Sequence, residues 1–337
     1  MTAQDMTTES RTILPRRELG RSGLTVTRLM LGGGPIGGLF APVDSATAQA
    51  TLRAAWSAGI RGFDTAPHYG AGLSELRFGE FLATRPPREY LLSTKVGRVL
   101  VPPDGPVDTE GFYGAPRMAR VRDYSPDGVR SSLEASMRRL RLDRIDLALI
   151  HDPDDHARAV LDGAYPALAQ LRSEGVIQAI GIGMNQAELL EWFLPRTDLD
   201  CVLIAGRYTL LDTTAGARLL PECQRRGIAV LAGGVFNSGI LADPRPGARF
   251  DYLPASAEMI GRAQQIARVC ARHGLPIGAV ALQFTLRHPA VAAAVVGARS
   301  PAEIGEDVRY LGISVPDAVF GELADSGLIP ETAGGTP

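Results

Sequence analysis

Four polar residues with side-chain types that serve in proton transfer follow three successive apolar segments. Asp64 and Tyr69 lie in GFDTAPHYG, Lys95 lies in LLSTKVG, and His151 ends LALIH. A charged group at such a position needs a partner or a cavity, because burying it alone is costly. The alternative for any single residue is structural: an Asp64–Lys95 ion pair, an ordinary tyrosine, a core histidine. Their recurrence at three successive segment ends favours a common site for acid–base chemistry.

Eight short apolar runs are expected to be the strands that position these side chains. Most of them lack a polar/apolar alternation, which is typical of strands buried on both faces of a parallel sheet. Helix signals separate them, such as Asp44 before one apolar pattern and Ser125-Pro126 before another. Eight strand–helix repeats predict an α/β fold, a (β/α)8 (TIM) barrel, with an open doubly wound sheet as the alternative. The predicted strands are 28–32, 62–65, 90–95, 145–151, 179–184, 200–205, 228–232 and 293–297.

The segments outside the repeats carry three further predictions. ELGRSGLTVTRLML, before the first barrel strand, predicts an N-terminal β-hairpin that plugs the bottom of the barrel. The polar ends predict disordered tails over 1–13 and 331–337, around a single domain over 14–330. Two long connections, about 96–123 after the third strand and 236–254 after the seventh, are typical of binding loops or lids.

Composition excludes several classes of partner. The net charge is −2, from 35 basic and 37 acidic side chains, so no nucleic-acid or membrane-surface binding is expected. The longest apolar stretch, about nine residues around 290–298, is shorter than the ~20 that span a bilayer. The start MTAQDMTTES lacks the features of a secretory signal, and the three cysteines form no C-x-x-C pair. A reduced, cytoplasmic enzyme is therefore predicted; its oligomeric state is not readable from the sequence.

Two motifs have the residue types of other sites. The glycines of 32–37 satisfy G-x-G-x-x-G, but Pro35 and GLFAPV delay the next helix to about Asp44. The motif therefore predicts a close approach of Gly34 to a ligand rather than a Rossmann turn. HDPDDH at 151–156 suits a solvated turn, and no second cluster completes a metal site. Three other histidines end no strand and are expected to be structural or exposed: His68, His273 and His288.

The combination of GFDTAPHYG, LLSTKVG and IDLALIHD resembles the aldo-keto reductases, and the resemblance runs from about 17 to 327. That family consists of (β/α)8 enzymes with a nicotinamide cofactor and an Asp, Tyr, Lys and His catalytic tetrad. The resemblance implies Tyr69 as general acid/base, Asp64 and Lys95 as the groups that tune it, and His151 as the group that orients the substrate oxygen. A tyrosine pKa of about 10 is high for a base, and Lys95 is expected to lower it by two to three units, about 3–4 kcal/mol.

The resemblance also implies where the nicotinamide ring is held. The family's contacts follow strands 5, 6 and 7, and here Asn185 matches the first of these. Either Phe236 or Asn237 is expected to compensate where the chain departs from the family pattern. It departs at three positions, Met184, Ala205 and Gly233.

Loops after strands 7 and 8 are expected to hold the rest of the cofactor. GARSPAEIGED opens a helix whose N-terminus favours a phosphate. Glu303 aligns with the family's basic residue for the 2′-phosphate of NADP, so the resemblance implies NAD, with NADP less favoured. The expected cofactor contacts are Gly34, Asp64, Asn185, Gly233, Phe236, Asn237, Ser238, Gly297, Arg299, Ser300, Glu303 and Asp307.

Within the family, HDPDDH and GVFNSGIL look most like a bacterial branch of NAD-linked dehydrogenases that oxidise L-fucose and other D-threo-aldoses, and pyridoxal. These small molecules form a cyclic hemiacetal, so the resemblance implies oxidation to a lactone. Candidate substrate contacts in the loop after the third strand are Tyr113, Arg117 and Arg120. Two alternatives remain: a general NAD(P)H-dependent aldehyde or ketone reductase, and a non-catalytic nicotinamide-binding regulatory subunit like the potassium-channel β-subunits.

Overall fold

Eight parallel strands close into a barrel in the computed structural model, which describes residues 14–331. All eight predicted barrel strands are confirmed, with ends shifted by at most two residues. The strands are β1 Arg16–Glu18, β2 Thr25–Thr27, β3 Leu29–Gly32, β4 Gly62–Asp64, β5 Leu91–Val96, β6 Arg98–Val101, β7 Ala119–Arg122, β8 Leu147–His151, β9 Ala179–Met184, β10 Cys201–Ala205, β11 Ala229–Gly233, β12 Arg249–Phe250, β13 Leu253–Pro254 and β14 Val291–Gly297. The barrel consists of β3, β4, β5, β8, β9, β10, β11 and β14.

Closure depends on the pairing of the last barrel strand with the first. In β14, Ala294 aligns with Leu29 of β3 and Gly297 with Gly32, in parallel register. The strands are buried along nearly their whole length because helices cover them outside and side chains fill the interior. The (β/α)8 prediction is therefore confirmed, and the open-sheet alternative is wrong.

Helices cover the outside of the barrel and begin where the sequence signals them. Asp44 accepts a hydrogen bond from the Thr47 amide, and Ser125 accepts one from Gly128. A 3-10 turn over Pro35–Gly37 fills the space between the glycines and the first helix, so the motif at 32–37 forms no Rossmann turn. The helices are α1 Ser45–Ser57, α2 Leu73–Leu82, α3 Pro126–Leu140, α4 Ala157–Ala159, α5 Tyr165–Ser173, α6 Ala187–Phe193, α7 Thr214–Ala217, α8 Leu219–Arg226, α9 Ala257–Arg272, α10 Ile277–Arg287, α11 Pro301–Gly312 and α12 Asp317–Asp325.

The N-terminal hairpin closes the bottom of the barrel, as predicted. Its strands β1 and β2 are antiparallel, with Arg16 opposite Thr27. Leu19 and Val26 are fully buried and pack with Met30 and Leu147 in the cluster that fills the barrel interior. A ligand therefore approaches the barrel at the opposite end, where the strands have their carboxyl termini.

Both long connections lie at that carboxyl end and contain small hairpins. In the loop after β5, strands β6 and β7 pair antiparallel. In the loop after β11, a 3-10 turn over Asn237–Gly239 precedes the β12–β13 pair. Leu39, from the loop after β3, forms a bridge with Phe112, so the loops contact one another across the mouth.

The chain ends bear on two remaining predictions. The predicted tails, 1–13 and 331–337, lie outside the described residues except for residue 331, and the single domain over 14–330 stays a prediction. Within 14–331, no helix combines the length and apolar character needed to cross a membrane. The three cysteines are free and buried: Cys201, Cys223 and Cys270.

Candidate active site

Three neighbouring barrel strands bring the predicted tetrad together at the carboxyl end of the barrel. Asp64 ends β4, Lys95 is the penultimate residue of β5, and His151 ends β8. These strands pair in the order β4–β5–β8, so their ends are adjacent. Tyr69 comes from the turn between β4 and α2.

Asp64 and Lys95 form a buried ion pair behind the tyrosine. The Lys95 ammonium donates to Asp64 Oδ2 at 2.6 Å and to the Thr65 carbonyl oxygen at 2.9 Å. The other Asp64 oxygen accepts from the Ser93 hydroxyl at 2.6 Å. The two side chains are only 1% and 3% exposed, so each charge depends on the other for compensation.

Tyr69 lies against this pair and against the histidine. Its ring centre is 4.6 Å from the Lys95 Nζ and 5.7 Å from the centre of the His151 ring, which is perpendicular to it. On another side the Phe112 ring stacks at 6.2 Å. The tetrad is therefore one contiguous cluster of side chains.

The sequence expectation for the Tyr69 pKa is wrong for the free protein. Burial raises the pKa of Tyr69 well above its ordinary value, and the negative charge of Asp64 adds to the rise. The positive charge of Arg98 opposes this rise without reversing it. The Tyr69 phenol is therefore protonated at neutral pH.

His151 is held as a neutral imidazole. Burial and then the positive charges of Lys95 and Arg98 lower its pKa well below the ordinary value. Its Nδ1 is buried and has no hydrogen-bond partner among residues 14–331, and its Nε2 lies 3.5 Å from Asp152 Oδ2. The Tyr124 hydroxyl donates to the carbonyl oxygens of His151 and Asp152, both at 2.8 Å, and so fixes this strand end.

His68 also belongs to the site, which corrects the expectation that it is structural or exposed. Its ring centre lies 5.6 Å from that of His151 and 6.0 Å from that of Tyr69. The sequence signal was its position directly before Tyr69 in APHYG, rather than at a strand end.

The candidate nicotinamide contacts lie at and just after the carboxyl ends of β9 and β11, at the same end of the barrel as the tetrad. Asn185 directly follows β9, and Gly233 ends β11 opposite Ala205 of β10. Asn237 is 3% exposed, and its Nδ2 donates to the Gly206 carbonyl at 3.2 Å. Its Oδ1 is buried without a partner in the described part of the chain, so it is a free acceptor that fits an amide group such as the nicotinamide carboxamide.

Tyr252 was missed in the sequence and lies at the same place. The residue is half-exposed, and its hydroxyl interacts with the Asn185 side chain. Its amide donates to the Ser238 hydroxyl at 3.0 Å. Phe236, the expected substitute aromatic, packs instead 6.4 Å from Tyr310 of α11.

The N-terminus of α11 is arranged as predicted for a helix start. Ser300 accepts from the Glu303 amide at 3.3 Å, and the Glu303 carboxylate accepts from the Arg299 amide at 2.9 Å and from its guanidinium at 3.2 Å. The Arg299 charge is therefore already balanced. Gly297, which ends β14, lies against Pro35, so the loop that carries Gly34 contacts this end of β14.

Asp307 on the inner face of α11 is 5% exposed. Burial, and then the charges of Glu303 and Glu306, raise its pKa to about 8.

The predicted substrate contacts differ in their distance from the tetrad. Arg120 donates to the His68 carbonyl at 3.2 Å and so touches the site. Tyr113 is exposed, and Arg117 donates to the Gly105 carbonyl within its own loop. Within residues 14–331, no three His, Cys, Asp or Glu side chains are grouped as metal ligands.

The barrel and the cluster at its mouth together define an oxidoreductase of the (β/α)8 class. The chain belongs to the aldo/keto reductase family, whose sequence model matches residues 28–326.

Three similar proteins place the chain within that family. It is 42% identical to a pyridoxal 4-dehydrogenase of Microbacterium luteolum, over 93% of this chain and 98% of that protein. It is 41% identical to a D-threo-aldose 1-dehydrogenase of a Pseudomonas species, over 92% of this chain and 96% of the relative. A solved glycerol dehydrogenase from Gluconobacter oxydans superposes with a TM-score of 0.72 at 26% identity, covering 96% of this chain and 98% of its own. The protein is therefore an enzyme, and the expectation of an oxidoreductase is confirmed.

Proposed function

We propose that the protein is an NAD-dependent dehydrogenase that oxidises a cyclic hemiacetal to its lactone. The substrate is an aldose of the D-threo series, such as L-fucose, or pyridoxal. The observation that carries the proposal is the Tyr69 ring set between a buried Lys95–Asp64 pair and a neutral His151. The names of the two similar dehydrogenases supply the substrate class.

Each member of the tetrad has a separate task in this reaction. The neutral His151 imidazole hydrogen-bonds the hemiacetal oxygen and orients it. Tyr69, after losing its proton, takes the hydroxyl proton of the substrate while the adjacent C–H bond gives up its hydride. Lys95, held by Asp64, stabilises the phenolate. A bound oxidised nicotinamide supplies the hydride acceptor and a positive charge that favours the phenolate.

The cofactor assignment rests on side chains in the loops that follow β9, β11 and β14. Asn185 and the free Oδ1 of Asn237 are suited to the carboxamide, with Gly233 and Ser238 in the same loop region. Phe236, which packs towards Tyr310, is proposed to contact the cofactor nearer α11. The contacts proposed for the phosphates and the adenosine are Gly34, Gly297, Arg299, Ser300 and Asp307.

Glu303 favours NAD over NADP. Its carboxylate balances Arg299, so a 2′-phosphate at this place would meet no free cation. A ribose 2′-hydroxyl can donate to the same carboxylate. Comparing kcat/KM for the two cofactors tests this assignment, and a clear preference for NADP would refute it.

Reaction in the opposite direction, the reduction of a carbonyl compound, also has support. The raised pKa of Tyr69 keeps the phenol protonated, which suits a general acid in the reduction of an aldehyde or ketone. An NAD(P)H-dependent carbonyl reductase is therefore the alternative function.

One screen separates the two candidates. NADH formation is measured with L-fucose, D-arabinose, L-xylose, galactose and pyridoxal, and NADH or NADPH consumption with simple aldehydes and ketones. The proposal predicts oxidation of at least one hemiacetal and a lactone product. Reduction of simple carbonyls without any hemiacetal oxidation would favour the alternative.

We further infer a cytoplasmic setting, which is supported by the three free, buried cysteines.

A further inference from the structure

His68 is a polar side chain beside the reacting groups that the acid–base chemistry leaves unused. Its ring meets the Phe112 ring edge-on at 5.2 Å and the His151 ring edge-on at 5.6 Å. The side chain is 14% exposed, so it is enclosed without being sealed from the mouth of the barrel. An imidazole at such a place has one or two nitrogens available for a ligand.

Arg98 determines which nitrogen of His68 carries the proton. The Arg98 guanidinium lies 3.5 Å from the His68 Nδ1 and is itself held by Asp152 at 2.8 Å and by Glu110 at 3.5 Å. A guanidinium has only donors, so a hydrogen bond from Arg98 uses the Nδ1 lone pair and requires the proton on Nε2. The Glu110 carboxylate oxygen is farther from Nδ1, at 3.8 Å. Burial, together with the positive charges of Arg98 and Arg120, lowers the pKa of His68 to about 2, so the ring is neutral at working pH.

We propose that His68 is a specificity-determining residue whose Nε2–H donates to a second substrate oxygen, next to the oxygen held by His151 and Tyr69. The separation of the two imidazoles suits this task. Two oxygens about 3 Å apart, each accepting a hydrogen bond of about 2.9 Å, can be reached from two rings whose centres are 5.6 Å apart. Phe112 and Arg98 hold the His68 ring in place, so the donor is preorganised.

The substrates recognised in this way have a hydroxyl close to the reacting oxygen. The 2-hydroxyl of an aldose meets that description, as does the ring hydroxyl beside the hemiacetal of pyridoxal. The inference rests on the proposed hemiacetal oxidation and gives a physical reason why sugars and pyridoxal share one site. A simple alcohol or hemiacetal without the second oxygen leaves the His68 donor unpaired.

The test is a cycle of two substrates and two enzymes. The value of kcat/KM is measured for the best aldose and for its 2-deoxy analogue, in the wild type and in His68→Phe. Phenylalanine keeps a ring against Phe112 but has no N–H. We expect the wild type to prefer the parent sugar at least tenfold and the variant to treat the two within about twofold. A purely structural role would lower both values and leave their ratio unchanged.

Two further variants complete the design. His68→Leu is a second variant without a donor, for use if the first does not fold, and His68→Gln keeps a donor and is expected to restore part of the preference. His288→Phe is the matched control, because His288 also meets an aromatic ring edge-on, that of Tyr208, but follows α10 outside the site. It is expected to leave the ratio at the wild-type value.

The outcomes separate this inference from the proposed function. If the wild type oxidises no hemiacetal, the proposed function fails. If it oxidises the parent sugar but does not discriminate against the deoxy analogue, the His68 inference is overturned and the function stands. The His68 inference is likewise overturned if both variants without a donor keep the wild-type ratio.

Discussion

Replacing Lys95 by methionine removes the ammonium that stabilises the Tyr69 phenolate. With the 4.6 Å between the Lys95 Nζ and the Tyr69 ring centre and an effective dielectric constant of about 20, one charge is worth roughly 3.6 kcal/mol, or about 400-fold in rate. We therefore expect kcat for hemiacetal oxidation to fall by two to three orders of magnitude. Steady-state NADH formation at saturating substrate measures this, and the Kd for NAD should change less than threefold. A variant that keeps more than a tenth of the wild-type kcat would show that the ammonium does not stabilise the phenolate in this way.

The same change has a separate effect on stability. It leaves the Asp64 carboxylate, 3% exposed, with Ser93 but without its cation. Breaking a buried pair from one side costs about 3–5 kcal/mol of unfolding free energy. Lys95→Met combined with Asp64→Asn removes both charges of the pair and is expected to unfold at a higher urea concentration than the single variant.

The chain offers a direct check of the burial of this pair. Lys95 is its only lysine, so an amine-selective reagent can modify only this side chain and the N-terminal amine. The folded protein is expected to be labelled at Lys95 only after unfolding. Rapid labelling of the native enzyme would show that the pair is not buried.

Three other changes have defined outcomes. Tyr69→Phe should reduce turnover at least a thousandfold in a coupled assay while NAD binding by calorimetry stays within threefold, because only the proton acceptor is lost; substantial residual kcat would contradict its role. Glu303→Arg should raise the ratio of kcat/KM for NADP to kcat/KM for NAD at least tenfold, since a guanidinium replaces the carboxylate that balances Arg299. In the folded protein the pKa of Asp307 is raised to about 8. Its favourable contribution to the free energy of unfolding is therefore complete below about pH 4 and is lost as the pH rises through 8. The free energy of unfolding of Asp307→Asn, measured in urea, should therefore rise relative to that of the wild type by up to about 1.4 kcal/mol per pH unit over that range. A difference between the two proteins that does not change with pH would contradict the assignment.

Much of the fold was predictable because strands buried in a parallel sheet have a recognisable apolar sequence pattern. Runs such as 179–184 are apolar without alternation, and helix caps such as Asp44 and Ser125 mark the segments between them. The short hairpins in the two long loops were not predicted. Strands of two to four residues have too few side chains to show a period.

The site was predictable to the extent that strand ends determine it. Asp64, Lys95 and His151 each end or nearly end a barrel strand, so the order of the strands makes them neighbours. Tyr252 lies in a distant loop, and its contact with Asn185 depends on how that loop folds back. The direction of the Tyr69 pKa shift could not be predicted from the sequence, because it depends on burial and on the distances to charges of both signs.

The most direct test of Tyr69 as the proton acceptor replaces its phenol by a more acidic one. A fluorinated tyrosine incorporated at position 69 keeps the ring and its contacts but lowers the phenol pKa. Since burial raises the pKa of the native phenol, oxidation by the wild type should become faster as the pH rises. We expect the rising part of the pH profile of kcat/KM to shift to lower pH, by the same amount as fluorination lowers the phenol pKa. A profile that stays at the wild-type pH would mean that another group accepts the proton.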